Sequence, residues 1–204
     1  MGQLSQSYHN DIKFIFIIVC FFIALASYFL SRDKRSWAWL LAGLAFTVVA
    51  DFFLVLHDAH VPGVAIFCFT HVCYAMRAQR GDREHTRRFL LFTFTVVSVA
   101  AALLLVLDSI IALAGMYAAL FLVNLCLNFK HRRVNRNGTF VFVALVLFAL
   151  CDVTVMLYNV PRYMGVMPVL MRLYPLIWIF YLPAQAMLAI SAINIKEGGK
   201  DART

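Results

Sequence analysis

Seven apolar stretches, at about 12–31, 36–57, 61–79, 88–107, 109–129, 138–159 and 169–194, are each long enough to cross a bilayer, and only short polar segments separate them. That recurrence leaves few folds open. In hydrocarbon every backbone amide must find its partner within the protein, which permits helices or a closed barrel, and runs of about 20 residues suit helices. With 63% hydrophobic residues, 14% charged residues and a mean hydropathy of +0.83, a water-soluble core could not hide the apolar surface of these 204 residues. The expected fold is all-α, a polytopic transmembrane helical bundle forming one domain over 1–204. No repeat, linker or low-complexity segment divides it.

Orientation follows from where the cations lie, because cytoplasmic loops carry the excess of Lys and Arg. One set of connections holds Arg32, Lys34 and Arg35, then Arg77, Arg80, Arg83, Arg87 and Arg88, then Lys130, Arg132, Arg133 and Arg136, and finally Lys196, Lys200 and Arg203 in the tail. The alternate set holds His57, Asp58 and His60, then Asp108, then Arg162. This predicts seven spans with the amino terminus outside and the carboxyl terminus cytoplasmic, in a bacterial inner membrane or a eukaryotic endomembrane. The sequon Asn137-Gly138-Thr139 then faces the cytoplasm and stays unmodified.

The net charge of +8 is thus a topology signal, and no basic surface interleaved with aromatic residues points to nucleic acid. Gln6 breaks the myristoylation pattern after Met1-Gly2. The first apolar stretch lacks a basic n-region and a small-residue cleavage site, so a retained helix is expected there. The five cysteines, Cys20, Cys68, Cys73, Cys126 and Cys151, show no paired ligand spacing and are expected as small buried hydrophobes.

Asp51 and Asp152 interrupt the second and sixth stretches about six and seven residues before their outer ends, roughly 9–11 Å below the boundary at 1.5 Å per residue. A charged aspartate at the centre of a membrane helix costs about 2.5–3.5 kcal/mol on insertion scales, so both should face the bundle interior or a wet cavity. They could merely join helices by bonding to Thr47, Thr154 or nearby backbone. Against that, His71 and Tyr74 share a face of the third stretch, and Tyr174, Trp178, Tyr181 and Gln185 form one stripe on the last. Carboxylates, a histidine, tyrosines and a glutamine at similar depth constitute a site.

Asn124 and Asn128, with Tyr117 on nearly the same face, are expected to hydrogen-bond between helices. His57 and His60 are expected to be a solvated pair. Pro175 and Pro183 in the last stretch predict a kinked helix lining a cavity that opens outward. There is no H-E-x-x-H, no lysine at mid-membrane in the last stretch and no Gly-rich phosphate loop. Neither a metal site nor a cofactor is expected.

The residues also carry a resemblance. Gly43-Leu44-Ala45-Phe46-Thr47, running through Ala50-Asp51 to Leu54, and then Gly63, Phe67, His71 and Tyr74, resemble the G-L-x-F-S-x-x-G-D-x-x-L and G-x-x-x-F-x-x-x-H-x-x-Y pattern of the YhhN-like lysoplasmalogenase family. Phe148 to Asp152 resembles its F-x-x-S-D-S segment, and Tyr181 to Gln185 with Leu188 to Ser191 resembles its Y-Y-x-A-Q-x-L-I-A-x-S ending. Ala50 stands where that pattern has glycine, and Cys151 and Val153 stand where it has serines.

The resemblance implies hydrolysis of the vinyl ether of lysoplasmalogens, giving a fatty aldehyde and glycerophosphoethanolamine or glycerophosphocholine. Such chemistry needs one carboxylic acid to protonate the β-carbon and one carboxylate to steady the oxocarbenium ion and orient water, with no cofactor. Asp51 and Asp152 are the expected catalytic pair, their individual roles open, and His71, Tyr74, Tyr181 and Gln185 are expected to bind substrate and water. The expected partners are a lysophospholipid and membrane lipids. Intramembrane carboxylates with His and Tyr also suit a proton-coupled transporter of small molecules or lipids, or a scaffold without catalysis.

Overall fold

A computed structural model describes residues 2–31, 33–79, 83–131, 136–164 and 174–193. These form seven helices: α1 (Gly2–Ala26), α2 (Lys34–Asp51), α3 (His60–Ala78), α4 (Arg83–Leu103), α5 (Ser109–His131), α6 (Arg136–Met164) and α7 (Tyr174–Ile190). A 3₁₀ turn, Ser27–Phe29, continues α1, and a π turn, Phe52–Leu56, continues α2. Among the described residues all regular structure is helical, and six helices are long and apolar enough to cross a membrane. The described part of the last stretch is a helix of 17 residues. Residues 169–173 of that stretch lie outside the described residues, as do Arg32, Arg80, Arg132, Arg133, Lys196, Lys200, Arg203 and the side chain of Arg162.

Local chemistry sets several boundaries. The Asp33 carboxylate caps α2 by accepting from Ser36 N at 3.0 Å. After the π turn the chain reverses across His57 to Ala59, with Asp58 at φ 51°, a left-handed conformation that aspartate tolerates better than most residues. Gly63 lets α3 start against that turn, because a Cβ there would stand 2.4 Å from Leu54 Cγ. Within the described part of α7, Pro183 lies inside the helix and withholds one backbone N–H. At the far end of α7 the Ser191 carbonyl accepts from Arg77 Nη2 at 2.9 Å and from Asn137 Nδ2 at 3.3 Å, which ends the helix before the predicted boundary. Arg77 also donates to Ser191 Oγ at 2.8 Å and to Ser36 Oγ at 3.1 Å, tying α2, α3 and α7 together.

Six helices close a ring in the order α1, α2, α3, α5, α6, α7, with the α2–α3, α3–α5 and α6–α7 seams the most extensive. The α5–α6 seam is thin. Helix α4 stands outside the ring against α5. Its outward face exposes large apolar side chains, Leu91, Phe94 and Val97 among them, a surface of the kind that meets lipid or another protein. Inside the ring, Phe148 packs against Phe67, Phe121, His71 and Tyr181 with ring centroids 5.5–5.9 Å apart. Cys20, Cys68, Cys73 and Cys151 are buried as expected; Cys126 is exposed, on a face of α5 turned away from the ring.

Candidate active site

Both aspartates lie among the ring's interior contacts, and each is held by a tyrosine from another helix. Tyr181 on α7 donates to Asp51 Oδ2 at 2.5 Å, and Tyr117 on α5 donates to Asp152 Oδ2 at 2.6 Å. The nearby threonines bond elsewhere: Thr47 donates to Gly43 O at 3.0 Å and Thr154 to Leu150 O at 2.7 Å. Each carboxyl therefore joins side chains across the ring.

Their surroundings differ. Asp51 is 3% exposed and sits on the last residue of regular α-helix before the π turn, a local widening common at functional sites. Asp152 and Tyr117 are half-buried at the thin α5–α6 seam. Phe148 packs against both Tyr181, which holds Asp51, and His71, which bonds Tyr117, so the two carboxyl sites lie on either side of one aromatic ring.

Behind Asp152 runs a chain of hydrogen bonds. Tyr117 spends its single proton on Asp152, so its oxygen accepts from His71 Nε2 at 3.0 Å. His71 Nδ1 is then an acceptor and faces Asn124 Nδ2 at 3.3 Å, while Asn128 Nδ2 donates to Asn124 Oδ1 at 2.9 Å. Every donor points the same way, from Asn128 through Asn124, His71 and Tyr117 to Asp152. His71, fully buried, has both ring nitrogens occupied and reaches the carboxyl through Tyr117. Asn124 does bond across helices, as its position suggested, but within a relay whose end is a carboxylate. Spacing on α5 alone hinted at this, since Tyr117, Asn124 and Asn128 share a face of an otherwise apolar helix.

Tyr74 and Gln185 are the site residues left free. Gln185 is fully buried one turn from Tyr181, and neither amide atom has a hydrogen-bond partner. Tyr74 Oη lies beside the Thr47 hydroxyl, which is committed to Gly43 O, and is likewise unpartnered. Close packing of α2 on α3 puts the ring there: a Cβ on Gly43 would stand 2.3 Å from Tyr74 Cε1. Buried polar atoms without partners are rare; among the described residues Tyr74, Trp178 and Gln185 carry such atoms on the helices that hold the site, and Gln79 and Thr93 carry them elsewhere. Between α2 and α3 His60 Nδ1 bonds Asp58 O at 3.1 Å, and the His57 ring packs on Phe52.

A ring of apolar helices, most of them long and apolar enough to cross a membrane, encloses two tyrosine-bound carboxyls. The YhhN family model matches residues 12–192, nearly the whole chain, and the chain belongs to that family, whose members are lysoplasmalogenase-like proteins. No curated protein and no solved structure matches it.

Proposed function

We propose that this protein is a lysoplasmalogenase of the integral-membrane, seven-span type, with its amino terminus outside and its carboxyl terminus cytoplasmic. The observation that carries the reading is the pair of carboxyls within one ring of helices, each bound by a tyrosine, in a chain of this family. Asp51, the more buried and backed by a single donor, is the proton donor. Asp152, at the end of the directed relay, is the carboxylate, because successive donors polarised toward it favour charge there.

The chemistry balances with these two groups alone. Asp51 protonates the β-carbon of the vinyl ether, leaving an oxocarbenium ion at the α-carbon that the Asp152 carboxylate stabilises. Asp152 takes a proton from the water that adds to it, giving a hemiacetal. Collapse breaks the bond to the glycerol oxygen, which receives the proton held by Asp152, while the hemiacetal hydroxyl proton returns to Asp51. The products are a fatty aldehyde and the glycerophospho-alcohol, with one water consumed. Tyr181 positions Asp51, and His71 positions Asp152 through Tyr117. The free groups on Tyr74 and Gln185 hold the water and the glycerol hydroxyl.

The test is aldehyde release by detergent-purified protein, followed by mass spectrometry, from a lysoplasmalogen and from an acyl lysophospholipid of the same head group. Aldehyde from the first alone, lost in Asp51→Asn and Asp152→Asn proteins that keep their helical content, is the expected result. Full rates in both variants would sink the assignment.

A further inference from the structure

At one end of the ring, two helical turns along α7 from Tyr181, a cation stands without a counter-ion. Lys13 Nζ lies 4.0 Å from the Trp178 ring centroid and 4.5 Å from that of Tyr174, and donates to Tyr174 Oη at 3.1 Å. Two aromatic faces and a hydroxyl hold an ammonium in place but leave its charge intact. Among the described residues no carboxylate forms an ion pair with it.

The mount is tied to the Asp51 side of the site. Tyr174 Oη donates to Asn10 Oδ1 at 3.0 Å, and Asn10 Nδ2 donates to Val55 O, within the π turn that follows Asp51, at 3.2 Å. From there an aromatic ladder descends, Tyr174 to Trp178 at 6.4 Å and Trp178 to Tyr181 at 5.9 Å, and ends on the Asp51 carboxyl. Midway, Trp178 Nε1 is buried and has no partner. A buried donor without a partner calls for an explanation, and an oxygen arriving with a ligand would supply one.

A fixed cation, a free N–H below it, and a carboxyl about 10 Å further down, at 1.5 Å per residue over seven residues, form a ruler. One end suits a phosphodiester anion and the other a reacting bond at the far end of a glycerol unit. We propose that Lys13 is the phosphate subsite for a single-chain phospholipid, with Trp178 Nε1 bonding an oxygen between phosphate and ether, so that the phosphate sets which bond reaches Asp51. This rests on the hydrolytic reading for what lies at the bottom of the ladder, but the subsite itself is a matter of binding.

The experiment therefore uses lipids that cannot react: a saturated 1-O-alkyl lysophosphatidylethanolamine and the 1-O-alkylglycerol that lacks its phosphate, titrated calorimetrically into the detergent-purified full chain. Wild type should bind the phospholipid about tenfold more tightly, the worth of a hydrogen bond to a charged group. Lys13→Gln should abolish that preference, Lys13→Arg should keep most of it, and Trp178→Phe should weaken phospholipid binding about threefold. Inorganic phosphate at millimolar concentration should not compete. Overturning results are no preference in wild type, an undiminished preference in Lys13→Gln, or full competition by inorganic phosphate, which would make this a site for a soluble anion. Should Lys13→Gln fail to fold, loss of the preference in Lys13→Arg would overturn the proposal, since arginine retains the charge. Asp51→Asn should leave the preference intact, so lost hydrolysis and lost phosphate recognition are separately visible.

Discussion

The two aspartates are alike in sequence setting and unlike in structural setting. Asp51 sits deep in the α2–α7 side of the ring, nearly inaccessible, with one tyrosine on it. Asp152 sits at the thin α5–α6 seam, half-buried, and its tyrosine is the last member of a chain that runs through His71 to two asparagines. What stands behind two identical side chains can thus suit them to different tasks. A carboxyl with one donor and little water suits a proton carrier, and one backed by aligned dipoles suits a standing charge.

The largest expected effect removes the carboxyls themselves. Asp51→Asn and Asp152→Asn should each lower turnover by about 10²–10⁴, the usual worth of a general acid or base. Hydrolysis measured on both, with helical content checked by circular dichroism, decides whether the two are needed equally; activity retained in one would reduce the pair to a single catalytic group.

The tyrosines sharpen the comparison next. Tyr117→Phe orphans two groups, the buried His71 Nε2 and the half-buried Asp152, whereas Tyr181→Phe orphans the buried Asp51 alone. Each orphaned group costs about 1–3 kcal/mol. Thermal unfolding in detergent should therefore fall further for Tyr117→Phe, and its turnover should drop more, by about tenfold or greater. Equal losses in the two variants would dissolve the asymmetry.

Gly43→Ala probes the Asp51 side only. Its Cβ would meet the Tyr74 ring at 2.3 Å, and overpacking of this kind costs about 1–3 kcal/mol. The midpoint of unfolding should drop by several degrees, and a compensating Tyr74→Leu should recover most of it. An unchanged midpoint in Gly43→Ala would mean that close packing of α2 on α3 is not what requires glycine there.

The smallest and most discriminating effect concerns Gln185. A buried amide with neither atom bonded should be worth nothing to stability, so Gln185→Leu is expected to unfold at the wild-type temperature or slightly above it, by about 1 kcal/mol at most. Its hydrolytic rate should nonetheless fall several-fold. A destabilised Gln185→Leu would make Gln185 a structural residue and remove it from the site.

Much of this was legible beforehand for one reason: a polar side chain in a membrane helix has to be explained. Asp51, Asp152, His71, Tyr74, Tyr181 and Gln185 stood out on that ground, and the described helices follow the predicted stretches in number and order. Partners were not legible. Asp51 meets a tyrosine 130 residues away, and Asp152 meets one 35 residues before it whose position on α5 suggests only bonding between helices. Lys13 was hidden for the opposite reason, since a lysine near the end of an apolar stretch is ordinarily a solvated flank.

By itself, then, the chain's sequence determined that it is a bundle of apolar helices with carboxyls inside, because the bilayer admits no other use of twenty-residue apolar runs and penalises charge turned to lipid. Only tertiary structure decided which tyrosine holds which aspartate, that α4 stands outside the ring, and that Tyr117, His71 and Asn124 line up behind Asp152. The physical reason is that helix period decides which residues share a face, while ring order decides which faces meet. Ring order is set by packing between helices distant in the chain, at contacts such as Gly43 against Tyr74 and Gly63 against Leu54, where a single missing methyl lets two elements close.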